Sequence, residues 1–256
     1  MLRLKKDLRV DLSRVQSFRG RINGAHRIRR SRACIAHCRF LNLYHAHRRR
    51  FTHHQITFTT PMKPVLLLMF SGSARRESFN QRLVEAAAAK ANALGAEVDV
   101  VNLADYPMPL FNQDLEAESF PDAVSKLRDK MIAVDGILLA CPEYNGSISP
   151  LLKNTIDWLS RPQDGVADRL VAYRGMVAAL VAASPGRLGG MGGLVHVRAI
   201  LSGIGVTVIP EDLALGSAYQ AFDESGDLVE DPMDQRLTNV VKGLIRTAKA
   251  LSHEES

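Results

Sequence analysis

Apolar and polar positions fall into two regimes along the 256 residues. Through residue 61 no sustained period of 3.6 or of 2 residues emerges, so neither helix nor strand is predicted there. From Val65 the pattern becomes regular. Residues 65–70 (VLLLMF) form a continuous apolar run, as expected of a strand covered on both faces of a parallel sheet, and the run ends in Ser71-Gly72-Ser73. The spacing then predicts an alanine-rich helix over 78–94 stopped at Gly95, a strand over 97–103, and a helix opened by Pro121 and Asp122. A third buried strand is predicted over 137–141, followed by a polar loop over 142–149 and a helix with Pro150 in its first turn. Residues 175–183 read as a fourth strand, 184–193 as a glycine-rich loop, and a helix then runs to about Gly203. A fifth strand is predicted over 206–209 and a final helix over 232–251. Strands alternating with helices at this rhythm predict an α/β, doubly wound parallel sheet. Right-handed crossovers put every loop that follows a strand on one edge, where ligands bind in such sheets.

Charge divides the chain at the same place. Residues 1–61 hold 13 Arg and 2 Lys against Asp7 and Asp11, a net of +13. Residues 62–256 hold 18 basic and 25 acidic side chains, a net of −7, so the overall +6 averages two unlike pieces. The basic runs at 27–30 and 48–50 could meet phosphate backbones, but they lack interleaved aromatics and any recognition module, and no nucleic-acid partner is expected. Cys34, His37, Cys38, His45 and His47 match none of the common zinc spacings, and no metal is expected. No apolar stretch approaches the roughly 20 residues of a membrane helix, and no secretory h-region follows the basic start. The Arg-rich, acid-poor composition is similar to an organellar leader, without its amphipathic pattern. Residues 1–61 are read as a basic, disordered extension, with a leader or an upstream stretch read through from a start assigned too early as its origin; the functional domain is 62–256. Three cysteines cannot build a disulfide framework, which points to a reducing compartment and a cytoplasmic location.

Candidate chemistry sits in three loops on the predicted rim. The first, 71–80, offers hydroxyls at Ser71, Ser73 and Ser78, the amide of Asn80 and the cations Arg75 and Arg76, all at or before a helix N-terminus. Free N–H groups and the helix dipole there favour an anion, and the set exceeds what a simple N-cap needs. It is neither G-x-x-x-x-G-K-[ST] nor G-x-G-x-x-G. The second loop, Pro142-Glu143-Tyr144-Asn145-Gly146-Ser147, has a flat ring, an amide and a permissive glycine, although a tight turn before a helix would look the same. The third, 184–193, has five glycines in ten residues, which suit close backbone approach or a flexible connection equally well.

Together, Gly72-Ser73-x-Arg75-x-x-Ser78-x-Asn80, the Pro142–Ser147 run and Lys153-Asn154-x-Ile156-Asp157-Trp158 resemble the NADPH-dependent FMN reductase family over about residues 62–250. The resemblance implies a flavodoxin-like fold with five parallel strands in the order 2-1-3-4-5, and quinone, azo-dye or chromate reductase activity. It implies FMN phosphate held by Ser73, Arg75, Ser78 and Asn80. The isoalloxazine ring would lie against Pro142, Glu143, Tyr144, Asn145 and Gly146, with Ser184 and Gly186 nearby. FMN and NADPH or NADH would then be the cofactors, small acceptors such as quinones the partners, and a homodimer or homotetramer the assembly. Flavin N5 would carry the hydride, so no side chain is nominated as acid, base or nucleophile. Asp157 is not read as catalytic, and Cys141 is read as a core residue. The alternative is a flavodoxin-like carrier docking redox proteins; the glycine-rich third loop favours the enzyme.

Overall fold

The computed structural model describes residues 63–162 and 168–252. The extension read over 1–61 lies outside the described residues. Five strands form one parallel sheet: β1 Leu66–Ser71, β2 Glu97–Val101, β3 Gly136–Ala140, β6 Val177–Ala183 and β7 Thr207–Leu215, in the order β2-β1-β3-β6-β7. Counted along the chain these are strands 2-1-3-4-5, the flavodoxin-like order. A two-stranded antiparallel hairpin, β4 Glu143–Tyr144 with β5 Ser147–Ile148, follows β3. The helices are α1 Phe79–Ala93, α2 Gln113–Glu118, α3 Asp122–Ile132, α4 Pro150–Leu159, α5 Met191–Gly203 and α6 Asp231–Ser252.

The continuous apolar strands serve two cores. Successive side chains of β1 alternate: Leu67 and Met69 join the core with Leu83, Val84 and Ala87 of α1 and Leu237 and Leu244 of α6. Leu68 and Phe70 join Leu127 of α3, Trp158 of α4 and Val197 of α5 on the opposite face. Both faces of β3 are therefore dry, and all five of its residues are buried. Among the described residues no helix is long and apolar enough to cross a membrane.

Four boundaries differ from expectation. β2 ends at Val101, and Leu103–Asp105 forms a single tight turn of helix capped by Asn102. The polar loop at 142–149 contains the β4–β5 hairpin. The glycine-rich loop ends earlier, because Met191, Gly192 and Gly193 already belong to α5. β7 runs on to Leu215 rather than stopping at Ile209. Pro210, Glu211 and Asp212 look like a strand terminator, yet the register jumps from Ala178↔Val208 to Leu180↔Asp212, a bulge that absorbs the proline. Proline is tolerated there because β7 is an edge strand. The open edge is covered by arginines. Arg198 of α5 donates to the Ile209 carbonyl at 2.6 Å, and Arg236 of α6 to that of Asp212 at 2.9 Å. Both also pair with the Asp212 carboxylate. Unpaired edge carbonyls are thus closed to another strand.

Candidate functional site

The C-terminal ends of β1, β3, β6 and β7 bring four loops to one rim. In the loop after β1, Ser73 N–H donates to Ser71 Oγ at 3.2 Å and Arg75 N–H to Ser73 Oγ at 3.3 Å, so successive serines bend the chain. Ser78 is the N-cap of α1, its Oγ accepting from Gln81 N–H at 3.3 Å. A capping hydroxyl keeps its own hydrogen to donate. The N–H groups of Phe79 and Asn80, at the first two helical positions, lack the i−4 acceptor that a later turn would supply. Arg75 and Arg76 are exposed, and the Arg75 guanidinium lies over the Phe79 ring at 5.4 Å. The edge of that ring meets Tyr219, centroids 4.9 Å apart.

The Asn80 side chain is engaged within the protein. Its side chain is buried, its Nδ2 donates to Ala183 O and its Oδ1 accepts from Ala183 N–H, both at 2.9 Å. The amide therefore ties the start of α1 to the end of β6. What Asn80 offers an anion is its backbone N–H.

The second loop contains a tight hairpin turn. Asn145 (φ 52°) and Gly146 (φ 76°) are the two central residues of a hairpin turn with both φ positive. This is the type I′ turn, which matches the twist of the paired strands. Pro142 is buried against the sheet and Tyr144 is exposed. The Glu143 carboxylate accepts Gly193 N–H at 2.9 Å, so it faces the first turn of α5 rather than the rim. Ser149 caps α4 and donates its hydroxyl to Gly72 O at 2.8 Å, joining the first loop to the second.

In the third loop, Ser184 Oγ accepts from Gly186 N–H at 3.2 Å. Gly186 O accepts Ser217 N–H and Ser184 O accepts Ala218 N–H, which binds this loop to the one after β7. That fourth loop, with Gly216, Ser217, Ala218 and Tyr219, was not read from the sequence. Its signal, a Gly-Ser after an apolar strand, was hidden by the early end assigned to β7. The Ser147–His196 pair, Oγ to Nδ1 at 2.8 Å, was missed as well.

The motif on α4 faces elsewhere. Asn154 donates to Pro109 O at 2.9 Å and accepts from Phe111 N–H at 2.8 Å, while Trp158 Nε1 donates to Pro109 O at 2.7 Å. These residues pin the strap between β2 and α2. Asp157 pairs with Lys153 at 2.6 Å, one turn away on the same helix. Cys141 is fully buried in the second core, and burial pushes its thiol well above the usual range, which makes it a poor nucleophile. Among the described residues no group of three or more His, Cys, Asp or Glu is placed to hold a metal ion.

This rim sets hydroxyls, cations and the free N–H groups of a helix N-terminus near a tight hairpin at the next strand end. Such an arrangement suits a planar, phosphorylated cofactor. The family model described as NADPH-dependent FMN reductase matches residues 65–220. An NAD(P)H-dependent FMN reductase of Pseudomonas aeruginosa is 35% identical over 182 residues, covering 70% of this chain and 93% of that protein. An NADPH:quinone oxidoreductase of Arabidopsis thaliana is 33% identical over 192 residues, covering 72% of this chain and 93% of that protein. Among solved structures, a flavoenzyme NAD(P)H:(acceptor) oxidoreductase of Paracoccus denitrificans superposes with a TM-score of 0.64 at 24% identity, covering 73% of this chain and 98% of that one. That last likeness concerns the fold.

Proposed function

The chain belongs to the NADPH-dependent FMN reductase family, and from that premise we propose that it reduces quinones or similar small acceptors with FMN held on the rim. It is an FMN-dependent NAD(P)H oxidoreductase. The observation that supports the residue assignment is the segment that enters α1: Ser73 and Arg75 in the loop, the N-cap Ser78, and the N–H groups of Phe79 and Asn80 at the helix start fall within eight consecutive residues. FMN, held by Ser73, Arg75, Ser78 and the hairpin, would supply the chemistry that carries a hydride equivalent from NAD(P)H to the acceptor, the further proton coming from solvent. The chain's own residues hold and orient it. The cradle meets the phosphate, while Pro142, Tyr144, Asn145 and Gly146 present a rigid face for the ring. Ser184 and Gly186 approach from the third loop, and Glu143 supports the hairpin from behind.

Within the same proposal, residues 62–256 are the catalytic domain, and the enzyme works in the cytoplasm as a homodimer or homotetramer. Exposed Leu188, together with Met191 and Val195 of α5, lines one cleft and supports an apolar contact between subunits.

The purified full chain is expected to show flavin absorbance, and to oxidise NADPH or NADH when a quinone is added. A colourless chain that also refuses added FMN overturns the flavin assignment. A yellow chain that never oxidises a pyridine nucleotide points instead to an electron carrier.

Arg75→Ala combined with Ser78→Ala is expected to raise the FMN dissociation constant about 10- to 100-fold, the scale of one or two hydrogen bonds to a charged group. Ser78→Ala also removes an N-cap, at about 1 kcal/mol of stability. Ser78→Asp separates the two effects. It keeps the cap but sets a carboxylate against the phosphate, so thermal stability should hold while FMN binding is lost.

A further inference from the structure

The hairpin after β3 is too short to hold its own position. Two residues per strand make a unit that is marginal in water, so its direction is set by whatever anchors it. Just after β5 the Ser149 hydroxyl donates to Gly72 O at 2.8 Å, and two further anchors come from α5. On β4, Glu143 Oε2 accepts Gly193 N–H at 2.9 Å, a carboxylate at a helix N-terminus. This contact requires close approach. A Cβ on Gly192 would lie 3.0 Å from Glu143 Oε2 and 3.1 Å from Gly146 O, and one on Gly193 would lie 3.3 Å from Ser147 O. The Gly192-Gly193 pair is thus the seat on which the hairpin rests.

On β5, one turn further along α5, His196 Nδ1 lies 2.8 Å from Ser147 Oγ. Ser147 is the cross-strand partner of Tyr144 and directly follows the Asn145-Gly146 turn. Glu143 holds β4 and Ser149 holds the exit of β5, and the His196 contact is the one that meets β5 next to the turn itself. His196 is exposed and Ser147 half-buried, so the pair adds little to the folding of the domain. Its effect falls on the aim of the turn.

Resting on the flavin reading above, we propose that His196 is a positioning residue which, through Ser147, holds Tyr144, Asn145 and Gly146 in line with the flavin ring. His196 touches neither cofactor nor substrate in this role. Its contribution is geometric, and an amide of similar reach can replace it.

The test is FMN binding to apoprotein of the full chain, followed by flavin fluorescence and by the visible circular dichroism of the bound flavin. His196→Ala should raise the dissociation constant about three- to tenfold, the scale of a single hydrogen bond, and should alter the dichroic band. Ser147→Ala should do the same, and the double variant should be no worse than either single one, because both remove one contact. His196→Asn, whose amide reaches the position of Nδ1, should restore binding to within about twofold of the unaltered chain. The thermal midpoint of apo His196→Ala should stay within about 1 °C of the unaltered apoprotein, as for most exposed substitutions. An unchanged dissociation constant and an unchanged dichroic band overturn the proposal, as does weaker binding that tracks a matching loss of apo stability. If the unaltered chain takes up no FMN, the flavin reading itself falls and carries this one with it. If the unaltered chain binds and the variants bind equally well, only the role of His196 falls.

Discussion

Asn80→Ala is expected to lower the unfolding free energy by about 2–4 kcal/mol and to weaken FMN retention at the same time. The side chain is buried, and both ends of its amide are engaged by one residue 103 positions away, the N–H and the carbonyl of Ala183. Truncation removes two hydrogen bonds. It also leaves a backbone donor and acceptor buried without partners, each costing about 1–3 kcal/mol. Ala183 ends β6 and precedes Ser184, so the bridge that is lost joins the cradle at α1 to the third loop of the rim. Asn80→Asp should not rescue. It keeps an acceptor for Ala183 N–H but sets a carboxylate against the Ala183 carbonyl, and a buried carboxylate lacking a donor is unfavourable. Urea unfolding of the apoprotein and an FMN titration check the two effects. If Asn80→Ala weakens FMN binding while leaving stability unchanged, the side chain acts on the phosphate directly, and the bridge is not its main role.

Gly189→Ala is expected to destabilise by about 3 kcal/mol or more, which for a domain of this size is a fall of about 2–4 °C in the melting midpoint per kcal/mol. Gly189 has φ 62°, and a Cβ there would lie 2.5 Å from Ala214 C and 2.7 Å from Leu215 C. Those are backbone atoms of β7, which cannot move aside as a flexible side chain would. Either the third loop or the end of β7 must shift, and with it the hydrogen bonds from Ser217 and Ala218 that join the two loops. Gly95 provides the control. It also has positive φ, at 83°, but a Cβ on it meets nothing within 4 Å. Gly95→Ala should therefore cost only the left-handed backbone term of about 1–2 kcal/mol. Comparing the two melting midpoints separates backbone conformation from steric contact; equal losses would show that the contact at Gly189 is readily relieved.

Both substitutions act where the rim is held together, and the sequence reading was weakest there. Ser78 was legible as a cap because its acceptor role is met three residues away. Pro150 was legible as a first-turn residue because proline suits that position whatever surrounds it. The Asn145-Gly146 turn was legible as a turn, but its rigidity was not, since two of its anchors lie on α5. The end of β7 shows the opposite case, since the strand read over 206–209 continues past Pro210. Local chemistry says that it ends a strand, while the tertiary context provides an edge position and a bulge that let β7 continue to Leu215. That early boundary concealed the fourth loop of the rim.

What the sequence determined by itself is whatever depends on near neighbours. Continuous apolar runs specify strands covered on both faces, the spacing of apolar residues specifies the helices between them, and clustered hydroxyls and cations before α1 mark the proposed anion cradle. Those patterns suffice for a doubly wound sheet and for the edge on which it binds. Tertiary structure decided which groups in the cradle still face outward. Asn80 is drawn to Ala183, Glu143 and Ser147 to the first turns of α5, and Asn154 and Trp158 to Pro109. Each of these partners lies 45 or more residues away along the chain. A polar side chain has the same composition whether it meets a ligand or a distant backbone group. Only the packed sheet, by bringing four strand ends together, determines which of the two it reaches.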